Sequence, residues 1–218
     1  PEPKENEVLV KVHAASVNMA DLAFVRGKPF LIRMMGSGLF RPKNEILGMD
    51  IAGQVESVGA NCEHLQPGED VYGEISECGW GGFAEYVCVP EDALVSKPVN
   101  LTHQQAAAVP QASVVALQGL RDHGRIHAGQ KVLINGASGG IGTFAVQIAK
   151  SFGAEVTGVC STRNIDFVRS IGAGYVIDYT KEDFTKSRKR YDLILDIVAS
   201  RPMAEIEPVL TPAGSYVL

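Results

Sequence analysis

Residues 135 to 142 have the sequence Asn135-Gly136-Ala137-Ser138-Gly139-Gly140-Ile141-Gly142. The strand pattern 131–135, with Val132-Leu133-Ile134 at its centre, leads into this segment, and a helical pattern follows it from 143 to 152. This order predicts a strand that turns sharply into a helix. In that setting a glycine-rich turn binds phosphate, because the free N–H groups at the start of the helix receive an anion. The segment is therefore a candidate dinucleotide site.

Individual residues of this turn have separate predicted roles. Aligned as A-x-G-x-x-G from Ala137, the turn lacks only the first glycine of the dinucleotide fingerprint. Gly139 would let the backbone approach a pyrophosphate, and Gly142 would let the helix pack closely on the strand. The predicted cofactor-binding residues of the turn are Ala137, Ser138, Gly139, Gly140, Ile141 and Gly142. The alternative is a glycine-rich helix start in an α/β domain that binds no nucleotide.

The end of the next predicted strand, 155–160, is the position that separates NAD from NADP. An acidic side chain there would bind the ribose 2′-hydroxyl of NAD, whereas this chain continues with Ser161-Thr162-Arg163. Ser161 can donate to a 2′-phosphate and the Arg163 guanidinium can pair with it, which favours NADP(H). Tyr179, after the third strand, would lie against the adenosine. The alternatives are that Arg163 only starts a surface helix and that Tyr179 is a core or rim tyrosine.

The second half of the chain alternates apolar runs with helical segments. The predicted strands are 131–135, 155–160, 175–178, 191–198 and the start of a fifth at 215–218. Helical patterns cover 112–123, 143–152 and 164–171. Continuous apolar strands separated by helices predict a parallel sheet covered on both faces, which is a Rossmann-type α/β domain.

The first hundred residues have a different pattern. Polar and apolar residues alternate over 7–14, 51–58 and 83–89, and a turn at 67–70 leads into a further strand. This predicts a small β-rich barrel or sandwich. Thr102 and Gln105 form a predicted capping box for a helix over 104–109. We place the domain boundary after Pro98, which gives domains 1–98 and 99–218.

Composition narrows the class of partner. The 218 residues contain 20 Lys+Arg and 25 Asp+Glu, and this formal net charge of −5 does not attract nucleic acid or an anionic membrane. No apolar run reaches the roughly 18 residues of a membrane span. The basic cluster 186–190 is interpreted as a solvated loop. The four cysteines are widely spaced, so we expect reduced thiols in a soluble, cytoplasmic protein.

The spacing of Gly136, Gly140 and Gly142 also matches the glycine pattern of short-chain dehydrogenases. Those enzymes carry the motif near the N-terminus and use a Tyr-x-x-x-Lys pair for proton transfer. None of the six tyrosines is followed by lysine at the fourth position. The sequence therefore excludes this class.

Further stretches carry a resemblance to a known family. They include Val12-His13-Ala14-Ala15-Ser16-Val17-Asn18-Met19-Ala20-Asp21 and Leu47-Gly48-Met49-Asp50-Ile51-Ala52-Gly53, followed by 68–73, 81–86, 136–142 and 170–173. In this order and spacing the whole chain resembles the medium-chain dehydrogenase/reductase superfamily, in its zinc-independent quinone oxidoreductase branch. The resemblance implies a GroES-like catalytic domain, then a Rossmann NADP(H)-binding domain, with the active site in the cleft between them. It also implies a small-molecule substrate, a quinone or an enone.

Zinc-dependent members of that superfamily hold the catalytic metal with residues that this chain lacks. A Cys is replaced by Asn18, and a His-Glu pair by Met49-Asp50. Amide and thioether side chains cannot replace a thiolate and an imidazole on Zn²⁺. The four closely spaced cysteines of the structural zinc lobe are absent from the sequence. We therefore predict no metal site, and a zinc-dependent alcohol dehydrogenase is the less favoured alternative.

The resemblance makes Asn18 the candidate catalytic residue, a neutral polar group near the nicotinamide and the substrate oxygen. A turn-stabilising side chain is the alternative interpretation of Asn18. Phe24 and Phe30 stand in the segment where family members often have tyrosines, so solvent would supply the proton.

Two further positions depart from the family. Val115 replaces a threonine that often touches the nicotinamide amide, with Ser113 two residues away. After the fourth strand the family's Asp-x-x-Gly becomes Asp196-Ile197-Val198-Ala199, which adds a methyl group near the expected cofactor. Val198 in this segment is a predicted cofactor contact.

These features predict an NADPH-dependent oxidoreductase that delivers hydride to a quinone or an α,β-unsaturated carbonyl without zinc. The alternative from another class is a non-catalytic NADPH-binding or interaction protein on the same fold. Full-length members of the family have roughly 330 residues, as expected of two ordinary domains. We therefore expect this chain to lack an end of each domain, and the full-length protein is a candidate homodimer.

Overall fold

The computed structural model describes residues 1–28 and 44–218, in two compact units, Pro1–Gln111 and Ala112–Leu218. Phe30, considered above for the substrate side, lies outside the described residues. In the described part of the chain no helix has both the length and the apolar character needed to cross a bilayer.

The first unit contains a five-stranded antiparallel sheet with the strand order β4-β1-β2-β3-β5. Its strands are β1 (Glu7–Ala15), β2 (Asp50–Val58), β3 (Asp70–Glu74), β4 (Tyr86–Pro90) and β5 (Val95–Ser96). Side chains two residues apart share a face, so Val8 and Val10 both enter the core with Ile51, Val55 and Val71. The β-rich prediction is confirmed, although the strand predicted from residue 83 begins at Tyr86.

Two helices complete the first unit. The helix α1 (Met19–Arg26) was not predicted, because only Asp21 among its residues is buried and no apolar stripe marks it. It ends at Gly27, which has a left-handed φ of 57°. The short helix α2 (His103–Ala107) begins with the predicted capping box, since Thr102 and Gln105 exchange hydrogen bonds of 3.0 and 3.2 Å.

The first compact unit continues beyond Pro98. Ala106 and Ala107 of α2 are buried against Ala52 of β2, so this helix packs on the antiparallel sheet. The helix α3 (Pro110–Leu117) then carries the chain into the second unit and continues as a π-helical segment, Gln118–His123. The domain boundary after Pro98 stays a prediction.

The second unit is built on a five-stranded parallel sheet with the order β10-β9-β6-β7-β8. Its strands are β6 (Lys131–Asn135), β7 (Glu155–Cys160), β8 (Tyr175–Asp178), β9 (Tyr191–Asp196) and β10 (Leu210–Val217). From β6 the chain runs outward to β8 and then returns to β9 on the other side. The order reverses between β6 and β9, and open α/β sheets bind ligands at the carboxyl ends of the strands at such a reversal.

Helices cover both faces of this sheet, as predicted. They are α4 (Gly140–Ser151), α5 (Ile165–Ser170) and α6 (Met203–Ile206). Neighbouring residues of β6 point to opposite faces: Val132 and Ile134 join one buried cluster with α4, and Leu133 joins another with Ile206 of α6.

The last strand is longer than the sequence predicted. The strand β10 begins at Leu210 rather than Ser215, and its pairing with β9 shifts register between these two residues. Pro212 has no N–H for the ladder and Gly214 weakens the strand pattern, which is why the sequence indicated only its second half.

Candidate functional site

The glycine-rich turn is anchored to the neighbouring strand. Gly136, directly after β6, has a φ of 89°, which favours glycine. The N–H groups of Gly136 and Ala137 both donate to the carbonyl oxygen of Val159 in β7, at 3.2 and 3.0 Å. A further bond joins the Gly139 N–H to the Gly136 oxygen at 3.0 Å. The turn is therefore fixed before α4 begins.

Two glycines of the motif differ in the space around them. A Cβ on Gly142 would lie 2.1 Å from the Gly136 carbonyl oxygen, so α4 packs too closely on the turn for any other residue. A Cβ on Gly140 would meet nothing within 4 Å. Gly142 thus has the close-packing geometry expected of the last glycine in the fingerprint, and Gly140 faces open space.

The start of α4 offers hydrogen-bond donors to this open space. The helix begins after Gly139, which has extended backbone and no side chain to cap the helix. The first N–H groups of an α-helix have no acceptor within the helix, here those of Gly140, Ile141 and Gly142. These donors and the helix dipole favour a bound anion. The turn fits the phosphates of a dinucleotide.

A cavity of about 570 Å³ lies at the carboxyl ends of the parallel strands. This volume falls in the range of small-molecule and cofactor sites. Of the predicted residues, Ser138, Gly139, Tyr179 and Val198 line it. The other lining residues are Asn135, Gly136, Val159, Cys160, Glu182, Asp183, Phe184, Ile197, Ser200 and Arg201.

Asn164 joins the turn to the end of β7, and sequence reasoning missed it. Its Nδ2 donates to Ser138 Oγ at 3.0 Å and to Ser161 Oγ at 3.3 Å. Two predicted cofactor residues are therefore held by one amide. The bond to Ser138 spans 26 positions, so no local spacing indicated it.

The residues predicted to select NADP lie outside the lining of this cavity. Arg163 is exposed, in the short helical turn Thr162–Asn164, and has no ion pair within the described residues. Ser161 is half-buried and is bound to Asn164. The Arg163 guanidinium is therefore exposed next to the end of β7.

A carboxylate also lies beside this turn, although residues 160–163 contain none. Asp178, the last residue of β8, accepts hydrogen bonds from Thr162 Oγ1 at 2.5 Å and Thr180 Oγ1 at 2.7 Å. These hydrogen bonds lower the pKa of Asp178 to about 2. Lys181 Nζ lies 3.6 Å from the same carboxylate and offsets its charge. The sequence missed Asp178 because it reaches the site from the neighbouring strand.

A buried carboxylate shapes the loop that follows β9. Asp196 Oδ1 accepts from Asn135 Nδ2 at 2.8 Å and from the N–H groups of Val198 and Ala199 at 3.0 and 2.9 Å. Tyr216 donates to Oδ2 at 3.0 Å, and burial together with Asp196 raises the pKa of Tyr216 to about 12. This network holds Val198 at the cavity.

The loop carries a strained residue where the family often has glycine. Ala199 has a φ of 52°, in the left-handed region that disfavours a side chain. Together with Val115 and Leu218, Ala199 lines a second cavity of about 390 Å³ in this unit. The methyl group noted in the sequence is therefore accommodated at a cost in backbone strain.

Ion pairs link the loops at the rim of the first cavity. Arg201 follows β9 and lies 3.1 Å from Asp183, which belongs to the loop after β8. Glu205 in α6 lies 3.3 Å from the same guanidinium. Two loops that line the cavity are therefore connected through one arginine.

In the first unit, Asn18 belongs to a cluster built around a buried carboxylate. Asp50 is 1% exposed, and its Oδ2 accepts from Asn18 Nδ2 and from Ser16 Oγ, each at 3.0 Å. Its Oδ1 accepts from the Gln111 N–H at 3.1 Å. Burial raises the pKa of the Asp50 carboxyl above its usual range, although the bonds from Asn18 and Ser16 oppose this shift.

A second buried carboxylate holds the backbone of the same segment. Asp21 accepts from the Asn18 N–H at 2.7 Å and from the Gly48 N–H at 3.2 Å. Asn18 and Asp21 form a capping box at the start of α1. Asn18 therefore has a turn-stabilising role through its backbone and a separate contact with Asp50 through its side chain.

The cluster does not provide a zinc site. Met49 and Asp50 stand where a zinc enzyme has His and Glu, and Met49 is buried. Across residues 1–28 and 44–218, no three His, Cys, Asp or Glu side chains converge to hold an ion. The amide of Asn18 and the thioether of Met49 are poor ligands for Zn²⁺.

Both halves of the chain match known families. Residues 4–99 match the family described as alcohol dehydrogenase GroES-like domain, and residues 140–218 match the family described as zinc-binding dehydrogenase. The name zinc-binding dehydrogenase is that of the family and does not show that this chain has zinc ligands.

Individual relatives cover most of the chain. The mitochondrial NAD(P)H oxidoreductase RTN4IP1 of Mus musculus is 38% identical to this chain, and the match covers 88% of this chain and 52% of RTN4IP1. The trans-enoyl reductase pgmF of Aspergillus terreus is 40% identical and covers 88% and 55%. The chain thus spans about half the length of these two curated relatives.

A solved structure matches almost the entire chain. The quinone oxidoreductase from Coxiella burnetii superposes with a TM-score of 0.88 and 32% identity, over 99% of this chain and 67% of that one. The two family matches and this structural match together cover both compact units of the chain. The chain belongs to the medium-chain dehydrogenase/reductase superfamily, in its quinone oxidoreductase-like branch.

Proposed function

We propose that this protein is an NADPH-dependent reductase of quinones or α,β-unsaturated carbonyls that works without zinc. The glycine turn, the uncapped start of α4 and the cavity beside them carry the proposal, because they offer anion-binding N–H groups next to a space of cofactor size. Its relatives are named as NAD(P)H, trans-enoyl and quinone oxidoreductases, which supports the reaction class.

The chain's own residues would hold the dinucleotide in the second unit. The N–H groups at the start of α4 would bind its phosphates, and Ser138 with Gly139 would line their path. Tyr179 and Val198 would contact it in the cavity, where both side chains are more than half exposed. A bound nicotinamide supplies hydride to an electrophilic carbon.

Charge at the end of β7 supports NADPH rather than NADH. Arg163 has no ion pair with any described residue, so it can pair with a 2′-phosphate, and Ser161 can donate to the same group. Asp178 opposes this preference, but Lys181, Thr162 and Thr180 already satisfy its carboxylate. The net balance at this turn favours the phosphorylated cofactor.

The proposed chemistry does not need a Lewis acid. Quinones and enones carry a carbon that is already electrophilic, so the protein has only to bind the carbonyl oxygen and exclude competing reactions. Asn18 is the proposed group for that oxygen, and solvent supplies the proton. The residues around Asn18 do not fit zinc, so no step is assigned to a metal.

Binding and turnover can be measured separately on the 218-residue chain. We expect tighter binding of NADPH than of NADH, and loss of NADPH absorbance on adding 1,4-quinones or enones, with or without a chelator. Inactivation by the chelator would contradict the zinc-free reaction. NADPH binding without turnover of either substrate class would instead favour the non-catalytic binding protein.

The variant Asn18→Ala tests whether turnover can be lost without loss of cofactor binding. It should lose turnover and keep NADPH binding, since Asn18 belongs to the first unit and the proposed cofactor residues to the second. The cytoplasmic location and the homodimer of the full-length protein stay predictions.

A further inference from the structure

The carboxylate of Asp50 uses both of its oxygens as acceptors, from different parts of the first unit. Oδ1 binds the Gln111 N–H, and Oδ2 binds Asn18 Nδ2 and Ser16 Oγ. An amide in place of this carboxylate could accept on only one side and would turn its NH₂ group toward donors on the other. The site therefore requires a carboxylate, although burial works against the ionised form.

The position of Asp50 fixes which way the Asn18 carboxamide points. Nδ2 of Asn18 lies 3.0 Å from Asp50 Oδ2, and the reversed amide would place Oδ1 against a carboxylate. Hydrogen bonds to charged groups are about twice as strong as neutral ones. One orientation of the Asn18 side chain is therefore strongly preferred.

Among the described residues, the geometry around Nδ2 gives only one of its two N–H groups a straight hydrogen bond. Its acceptors, Ser16 Oγ and Asp50 Oδ2, lie at 3.2 and 3.0 Å and are themselves 3.0 Å apart. Such a nearly equilateral triangle puts the two acceptors about 60° apart as seen from Nδ2, whereas the N–H bonds of a planar amide diverge by about 120°. The two oxygens cannot each receive a straight N–H bond.

We propose that Asp50 is a positioning residue, which shares one Asn18 N–H with Ser16 and leaves the other N–H as the donor for the substrate's carbonyl oxygen. This assignment rests on the proposed function for the class of substrate, but the orientation of the amide does not. A donor at this position stabilises the negative charge that develops on the oxygen of a quinone or an enone. It supplies part of what zinc supplies in the metal-dependent branch.

The orientation can be tested on the ligand-free chain by NMR of the ¹⁵N-labelled Asn18 side chain. We expect two distinct N–H signals, one protected from hydrogen exchange and one exchanging rapidly. In Asp50→Asn the protected signal should be lost. Glu91→Gln is the matched control, because that carboxylate accepts from the N–H groups of residues 63–65 and does not contact Asn18. Equal protection of both wild-type signals would overturn the proposal.

Kinetics test the donor role. Asp50→Asn should lower kcat/KM about tenfold or more, mainly through kcat, because the bond lost is one to a charged group. The melting temperature of Asp50→Asn should fall much less than its activity, because the substitution also removes a buried charge. A purely structural Asp50 would lose stability and activity together, and that result would overturn the positioning role.

An exchange of the two residues separates a donor from an acceptor at position 18. The double variant Asn18→Asp with Asp50→Asn keeps an amide–carboxylate pair but leaves position 18 without an N–H. We expect it to stay folded and to be as inactive as the single variants. Restored turnover would show that Asn18 acts as an acceptor and would overturn the proposal. If the wild-type chain reduces no quinone or enone, the proposed function fails while the NMR result still decides the orientation.

Discussion

The α-carbon of Gly142 faces the carbonyl oxygen of Gly136 so closely that an added Cβ would lie 2.1 Å from that oxygen. Neither group can move freely, because Gly136 is tied to Val159 of β7 and Gly142 is inside α4. We predict that Gly142→Ala lowers the free energy of unfolding by about 2 kcal/mol or more. Thermal or denaturant unfolding of the purified chain measures this change.

Gly140→Ala is the matched control in the same helix. Its Cβ would meet nothing within 4 Å, and alanine is the better helix former, so stability should be unchanged or higher. Its NADPH affinity should nevertheless fall, because the open space in front of Gly140 is where the proposed phosphates bind. A Gly140→Ala variant that binds NADPH like the wild type would place the phosphates elsewhere.

Arg163 gives a direct test of cofactor choice. Arg163→Glu should shift the ratio of NADPH to NADH affinities by about tenfold or more toward NADH, because a carboxylate there repels a 2′-phosphate. Stability should change little, since Arg163 is exposed and has no ion pair within the described residues. Titration with each cofactor measures the ratio. Arg188 is also exposed, so Arg188→Glu is the control and should leave this ratio unchanged. If Arg163→Glu also leaves the ratio unchanged, Arg163 does not select the cofactor.

Asn164 should support the site through Ser138 and Ser161. Removing its amide in Asn164→Ala frees both hydroxyls, and each neutral hydrogen bond contributes about 1 kcal/mol. We therefore expect NADPH affinity to fall several-fold, as measured by equilibrium binding. The comparable loss of an exposed amide contact in Asn61→Ala should have no effect on binding. If the wild type, Asn164→Ala and Asn61→Ala bind NADPH equally well, Asn164 does not support the cofactor site.

The sequence was sufficient for the parts of the fold that depend on local pattern. The run 131–135, the glycines and the following helix predict the turn, and Thr102 with Gln105 predicts its capping box, because each signal lies within a few neighbouring residues. The helix α1 escaped prediction because its buried side is formed by Asp21, a residue type that normally marks a surface. Hydrophobic periodicity cannot indicate a helix whose buried contact is a carboxylate.

The candidate site was predicted less completely, for a reason of geometry. Ser138 and Tyr179 could be placed because each follows a predicted strand of a parallel sheet. Asp178 contacts Thr162, and Asn164 contacts Ser138, by hydrogen bonds between different strands or loops. Such contacts have no regular spacing along the chain. The same holds for Asp50, whose contact with Asn18 spans 32 positions.

Asp178 predicts a dependence of stability on pH. The pKa of Asp178 is about 2 in the folded protein, against an ordinary value of 3.8. The ionised carboxylate therefore stabilises the folded protein at pH values above about 3.8. That contribution is lost as pH falls from about 3.8 toward about 2. Asp178→Asn should therefore melt at a lower temperature than the wild type near neutral pH, and the difference should shrink across this acidic range. A difference that stays constant down to the acid limit would show that the Asp178 charge is not responsible.

Ala199 predicts a stabilising substitution. Its φ of 52° strains any residue with a Cβ, and glycine relieves that strain at a smaller cost in the entropy of the unfolded chain. We expect Ala199→Gly to raise the free energy of unfolding by about 1 kcal/mol. The same exchange at Ala204, inside the helix α6, should lower it by up to about 1 kcal/mol, because glycine is a poor helix former. Denaturant unfolding of both variants gives the sign of each change in the free energy of unfolding. A loss of stability in Ala199→Gly would mean that the contacts of the Ala199 methyl group outweigh the backbone strain.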